Sequence, residues 1–128
     1  MKPRPTHIDG YRFGSMAESL RYEELKLLEF GGHIQDLEVH PKLKLRVNGT
    51  RIGRGYYTAD WRYVEDNAVI IEEYKGAWAF KGKSSHGTKT AWNRLRDLVC
   101  AIHPITLRVT TSEGSTDYCA IGGKVVKL

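Results

Sequence analysis

Three side chains near the middle of the chain have the types and spacing for chemistry on a phosphate ester: Asp60, Glu73 and Lys75. The stretch VIIEEYKGAW, Val69 to Trp78, starts as a buried strand and turns charged where apolar residues should continue. Alternation puts Val69, Ile71, Glu73 and Lys75 on one face and Ile70, Glu72 and Tyr74 on the other. Glu73 and Lys75 therefore extend a core-facing row. A desolvated carboxylate with no partner is expensive, and either a metal ion or Lys75 would compensate it. A lone Glu-x-Lys is ordinarily a rim ion pair of small energy, so the tripeptide by itself decides nothing. Asp60 changes the balance. Twelve residues separate it from Glu73, across a Glu65-Asp66-Asn67 turn. If the strands flanking that turn pair, Asp60 arrives beside the end of the Glu73 strand. Two carboxylates and the Tyr74 carbonyl form a hard-oxygen set suited to Mg2+ or Mn2+. A lysine beside such an ion can position a water or stabilise developing negative charge. These are the parts that phosphodiester hydrolysis requires.

The elements that must position these groups are legible in outline. Residues 1–14 read as an N-terminal arm with two prolines, Gly10 and Gly14. Ser15 to Phe30 reads as a helix, opened by a Ser15/Glu18 capping box. Ala17, Leu20, Leu25, Leu27 and Leu28 fall on one broad arc, and Gly31-Gly32 closes it. Arg21 and Glu24 fall inside that arc and are expected to pair. Ile34 to Val47 reads as a strand bent or broken at Pro41, followed by an Asn48-Gly49 turn. Gly55 to Val64 and Ala68 to Lys75 are the next two strands, giving an antiparallel meander. Residues 76–87, rich in glycine, lysine and serine, are expected to be a basic mobile loop. Thr88 to Ile102 is a second helix with Trp92, Leu95, Leu98 and Val99 inward, stopped by Pro104. Ile105 to Thr110 is a fourth strand, and Tyr118 to Ile121 a short fifth before a frayed end. The order α-β-β-β-α-β predicts an α/β domain, a mixed central sheet flanked by helices.

At 128 residues the chain is expected to be a single domain. No apolar run is long enough for a membrane span. The start, Met1-Lys2-Pro3-Arg4-Pro5, has no apolar stretch behind it, which predicts no signal peptide and a cytoplasmic location. Cys100 and Cys119 lack metal-like spacing and read as reduced thiols. None of His7, His33, His40 and His103 has ligand spacing, and His86 reads as a surface residue. Net charge is +5, unevenly spread. Residues 61–74 are net −3 and residues 75–108 net +6. A dense basic segment after a carboxylate cluster suits a polyanion held near a cation. Lys81, Lys83, Lys89, Arg94 and Arg96 are its candidate phosphate contacts, which position rather than specify. Trp78 and Phe80, apolar within the loop, are expected to pack or to meet a second subunit before stacking on a base.

Asp60 followed by Glu73-Tyr74-Lys75 resembles the Asp…(Asp/Glu)-x-Lys motif of the PD-(D/E)xK nuclease superfamily. Phe13-Gly14-Ser15-Met16-Ala17-Glu18 resembles the start of the first helix in archaeal-type Holliday junction resolvases, where that Glu joins the metal site. The stretch from Phe13 through Gly76, with Arg21-Tyr22-Glu23-Glu24-Leu25 in the helix, also resembles small phage-encoded members. Ala59 stands where a proline precedes the Asp in the motif's name. About half the chain is covered. The resemblance implies a restriction-endonuclease-like core and a metal-dependent endonuclease acting on branched DNA at four-way junctions, in a phage-infected or prokaryotic cell. It assigns metal binding to Glu18, Asp60, Glu73 and the Tyr74 carbonyl, and places Lys75 at the reacting phosphate. Paired cuts on a symmetric junction would call for a homodimer. Without the resemblance, Glu18 is fully explained as a helix cap. A nicking or DNA-end nuclease, or a nucleic-acid-binding protein with no catalysis, fits the same composition.

Overall fold

The computed structural model describes residues 4–76 and 86–128. Hairpin β1 (Thr6–Ile8)–β2 (Tyr11–Phe13) leads into α1 (Met16–Phe30). Strands β3 (Gln35–Val39), β4 (Lys42–Val47), β5 (Thr50–Thr58), β6 (Trp61–Glu65) and β7 (Ala68–Tyr74) follow. Then come α2 (His86–Ile102), β8 (Thr106–Thr111), β9 (Gly114–Ile121) and β10 (Lys124–Lys127). Six strands form one mixed sheet in the order β10-β9-β8-β7-β6-β3, in which β7 and β8 are the parallel pair. The pairs β1-β2 and β4-β5 stand apart as two-stranded ribbons. Among the described residues no helix is long and apolar enough to cross a membrane.

Alternation along β7 sorts the core into two clusters. Ile70 joins Phe13, Tyr22, Leu25, Ile34, Trp61 and Tyr63 on the α1 face. Ile71 joins Leu43, Leu45, Tyr57, Trp92, Val99 and Leu107 on the face covered by α2 and the β4-β5 ribbon. A helix therefore lies on each face of the sheet, as the fold-class expectation had it.

Several expected boundaries move, each for a local reason. The segment read as a strand bent or broken at Pro41 is broken there, into β3 and β4, which lie in different sheets. His40 takes φ 55° and Pro41 has no N–H to offer a ladder, so the chain leaves the sheet there. The segment read as a strand over 55–64 likewise divides at Ala59-Asp60 into β5, in the ribbon, and β6, in the sheet. The meander is thus β6-β7, with β3 pairing β6 on its other side. The N-terminal arm is a hairpin, turned by Asp9 and Gly10 at φ 53° and 80°. Beyond Gly122-Gly123 the chain returns as β10 rather than fraying. Of the expected loop over 76–87, residues 77–85 lie outside the described residues, and α2 already begins at His86. In α1, Tyr22 and Leu25 are buried, whereas Leu20 and Leu27, expected inward, are 60% and 71% exposed.

Candidate active site

The β6-β7 hairpin brings Asp60 and Glu73 together. Asp66 and Asn67, at φ 50° and 65°, make the tight turn that sets the register. In that register Trp61 pairs with Glu72, so Asp60, one residue earlier, faces Glu73. Its carboxylate extends the ladder just before β6 begins: Oδ2 accepts the Tyr74 N–H at 2.7 Å. The next residue, Lys75, donates its N–H to Thr110 on the β8 side. Strand parity therefore turns both the N–H and the carbonyl of Tyr74 toward Asp60.

Glu73 is nearly enclosed. Its side chain is 12% exposed and lies 3.5 Å from the Lys75 ammonium. Tyr57 of β5 donates its hydroxyl to Glu73 Oε1. Lys75 is itself seated over the Trp92 ring of α2, 4.3 Å from the centroid. Burial pushes the Asp60 carboxyl up to about 9, and the neighbouring Glu73 charge adds to that against the Tyr74 N–H bond. Burial also raises Glu73, opposed by Lys75, Tyr57 and Asp60. The Tyr57 hydroxyl is raised too, by burial and then by Glu73. Burial thus raises both carboxyls, and the Glu73 charge raises Asp60 further. Among the described residues Lys75 is the one ammonium paired with either of them, at Glu73. The pair is short of positive charge.

Glu18 lies at the margin. Ser15 Oγ accepts the Glu18 N–H at 3.2 Å, and Glu18 Oε2 accepts the Gly14 N–H at 3.0 Å. The first bond is the expected cap of α1, while the returning carboxylate reaches one residue further back, to Gly14 rather than to the Ser15 N–H. The carboxylate is also close enough that its charge helps to raise Asp60. Gly14 makes room for it, since a Cβ there would stand 3.2 Å from Glu18 Oε1. Among the described residues no group of three or more His, Cys, Asp or Glu side chains converges at metal-binding distance. The arrangement is a carboxylate pair with a third carboxylate nearby, rather than a closed triad.

A family model matches residues 2–99. The chain belongs to the family described as Protein of unknown function (DUF1064). The DUF1064 segment contains Glu18, Asp60, Glu73 and Lys75 together with most of α2, and β8 to β10 lie beyond it. No curated protein and no solved structure matches the chain.

Within the DUF1064 segment the candidate phosphate contacts do not form one set. Lys81 and Lys83, like Trp78 and Phe80, lie outside the described residues. Lys89 and Arg94 are exposed on α2, but at 100° per residue they point about 140° apart. Arg96 is committed inside the fold. It pairs with Asp97 at 3.0 Å and stacks 4.2 Å from the Tyr118 ring, with its side chain 17% exposed. Two residues the sequence did not flag complete the site: Tyr57 and Trp92. Each reads as an ordinary core aromatic, and only the meeting of β5 and α2 with β7 gives them their roles.

Glu72 occupies the opposite face. It was expected to be solvated or salt-bridged, and it is fully buried. Arg21 grips it with two bonds of 2.7 and 2.9 Å, and the Tyr63 hydroxyl donates to it. Arg21 also makes the expected pair with Glu24, at 2.8 Å. Tyr63 in turn accepts from Arg108, whose guanidinium binds Asp117 and Glu65. This network crosses the α1 side of the sheet with each charge answered by another.

Proposed function

We propose that the protein is a metal-dependent, structure-selective DNA endonuclease of the PD-(D/E)xK superfamily and, more narrowly, a Holliday junction resolvase. The observation that carries this reading is the pairing of Asp60 with Glu73 at the end of β7, beside Lys75 and short of positive charge. The architecture supports it. Taken without the β1-β2 hairpin, the β4-β5 ribbon and β9-β10, the order α1-β3-β6-β7-α2-β8 is the one a restriction-endonuclease-like core would have.

The donor set fits a hard divalent cation, Mg2+ or Mn2+. Asp60 and Glu73 would hold it, with the Tyr74 carbonyl on the same side, and Glu18 would complete the set through Oε1 by closing on the pair. When bound, such an ion supplies charge neutralisation and a water of lowered pKa. Lys75, held between Glu73 and the Trp92 ring, presents an ammonium to a phosphate oxygen, where charge builds in the transition state. Tyr57 fixes the rotamer of Glu73 by occupying one of its oxygens. Burial of the pair excludes bulk water from the carboxylates and strengthens each of these contacts.

The homodimer that symmetric cutting calls for has a candidate surface. Met16, Leu20, Leu27 and Phe30 are 61%, 60%, 71% and 93% exposed. Together with Glu23 they recur at the 4-3-4-3 spacing of a two-helix seam. Sedimentation should find a dimer that Leu27→Glu with Phe30→Glu converts to a monomer; a wild-type monomer would remove this part of the reading.

The deciding experiment runs a synthetic four-way junction, a fork and a linear duplex side by side with Mg2+. Preferential junction cutting, lost in Asp60→Ala and Lys75→Ala while binding survives, is the expected result. Equal cutting of all three would mean a nicking or DNA-end nuclease. Binding with no cutting would leave a non-catalytic nucleic-acid-binding protein.

A further inference from the structure

We infer that the β4-β5 ribbon is the arm that holds duplex DNA against the carboxylate pair. The choice of partner rests on the proposed nuclease reading. The ribbon itself rests on a separate observation about charge.

Residues 41–59 carry five basic side chains and no acidic one. Elsewhere in the fold, the partly buried Arg21, Arg96 and Arg108 are each answered by a carboxylate, whereas the exposed Arg12, Arg62 and Arg94 stand singly without an ion pair among the described residues. Among the described residues none of Lys42, Lys44, Arg46, Arg51 and Arg54 makes an ion pair. All five are exposed. Lys42 lies 4.7 Å over the Tyr56 ring and Arg46 donates to the Gly49 carbonyl, but a run of five like charges with no carboxylate among them repels itself and attracts a polyanion.

The geometry gives the run a direction. Along β4, Leu43 and Leu45 turn inward and are 8% and 6% exposed, so Lys42, Lys44 and Arg46 turn outward. Strand rise spaces them at about 7 Å, a row of cations along one edge of a duplex backbone. Across the ribbon Arg46 pairs with Arg51, which brings a second cation alongside the row. Asn48 and Gly49, at φ 49° and 76°, close the tip.

The base of the ribbon is the site itself. Ala59 donates its N–H to Pro41 at 3.0 Å, and His40 donates to the Asp60 carbonyl at 2.9 Å. Tyr57, on the inner face, donates to Glu73. The inner face is held to the body of the molecule by the packing of Tyr57 on Trp92 and by a 2.7 Å bond between His103 Nε2 and the Lys44 carbonyl. The outer row ends at the base of the ribbon, where the Ala59 and His40 bonds tie Pro41 and Ala59 beside Asp60. A backbone that follows the row therefore arrives next to Asp60, with Tyr57 and Glu73 on the ribbon's inner side. The row touches phosphates and reads no bases, which suits recognition by shape.

The test compares the wild-type chain with Lys44→Ala/Arg46→Ala/Arg51→Ala, all exposed positions, with a melting curve confirming the fold. Binding of a fluorescent four-way junction and of linear duplex DNA is measured by anisotropy in EDTA, from about 50 to about 200 mM salt. The triple variant should bind roughly tenfold to a hundredfold more weakly, with a salt slope flatter by about 2 to 3. Lys89→Ala/Arg94→Ala should bind closer to wild type. An unchanged affinity and slope in the ribbon variant would overturn the inference, as would equal loss on duplex RNA or on polyglutamate. Because no divalent ion is present, the outcome is independent of cutting. A wild-type chain that binds through the ribbon and never cuts refutes the nuclease reading alone. One that cuts junctions, and whose ribbon variant binds and cuts as well, refutes the ribbon alone.

Discussion

Glu72 and Glu73 are neighbours in β7, yet their surroundings are opposites. Glu72 is completely buried and completely answered, by two bonds from Arg21 and one from Tyr63. Glu73 keeps some exposure, shares its space with a second carboxylate, and has one ammonium 3.5 Å away. The first arrangement ties α1 to the sheet. The second leaves a deficit of positive charge at the sheet's end. Burial alone therefore does not single out a candidate functional carboxylate; the balance of charge around it separates Glu73 from Glu72.

The largest effect should come from breaking the balanced side. Arg21→Ala leaves Glu72 buried without its partner and should cost about 3–5 kcal/mol in urea unfolding. A loss below about 1 kcal/mol would mean that Glu72 is not held as the network implies. On the deficient side a divalent cation should stabilise the fold. At a hundredfold excess over its Kd, Mg2+ or Mn2+ should add about 2.7 kcal/mol to the wild type, and Asp60→Asn should lose most of that gain. Glu18→Gln sharpens the same measurement: it keeps the Gly14 cap, so a reduced gain would assign Glu18 to the metal.

Without metal, the deficient side should show in the pH dependence. The folded chain raises Asp60 from 3.8 to about 9, so it binds that proton more tightly than the unfolded chain does. The contribution is fully present below the unfolded value and is lost as pH rises through the folded one. Stability in EDTA should therefore fall between about pH 4 and about pH 9. Asp60→Asn should flatten that slope and be more stable than wild type near pH 8 by on the order of 1–2 kcal/mol. An equal slope in the variant would locate the titration elsewhere. The smallest effect belongs to the cap: Ser15→Ala should cost about 1 kcal/mol, read as a lower melting temperature.

Much of the site was legible before any coordinates. The Glu65-Asp66-Asn67 turn between two strands was enough to place Asp60 beside Glu73, and alternation alone separated Glu72 from Glu73 and Lys75. The capping box at Ser15 and the stop at Pro104 located both helices. Other features carried a signal that pattern reading passed over. Asp9-Gly10 is a hairpin turn of the same kind as Asn48-Gly49, but strands of three residues are too short to show a period. The break at Pro41 was legible from the proline, but the strand end at Ala59-Asp60 was hidden because alternation continues across it. A chain that changes sheets keeps its in-out period.

The chain's own order of residues decided the periods, the turns and the helix caps, because those depend on neighbours within a few positions. It therefore decided that two carboxylates and a lysine would reach one end of one strand. What lay beyond its reach was everything set by contact between distant segments. The apolar arc of α1 was read from its leucines, but the sheet took Tyr22 and Leu25 and left Leu20 and Leu27 outside. Arg21 found Glu72 across 51 positions, and Tyr57 and Trp92 became part of the site only when β5 and α2 closed over β7. Which charges are answered and which are left over is a sum over all neighbours in space, and only the folded chain performs it.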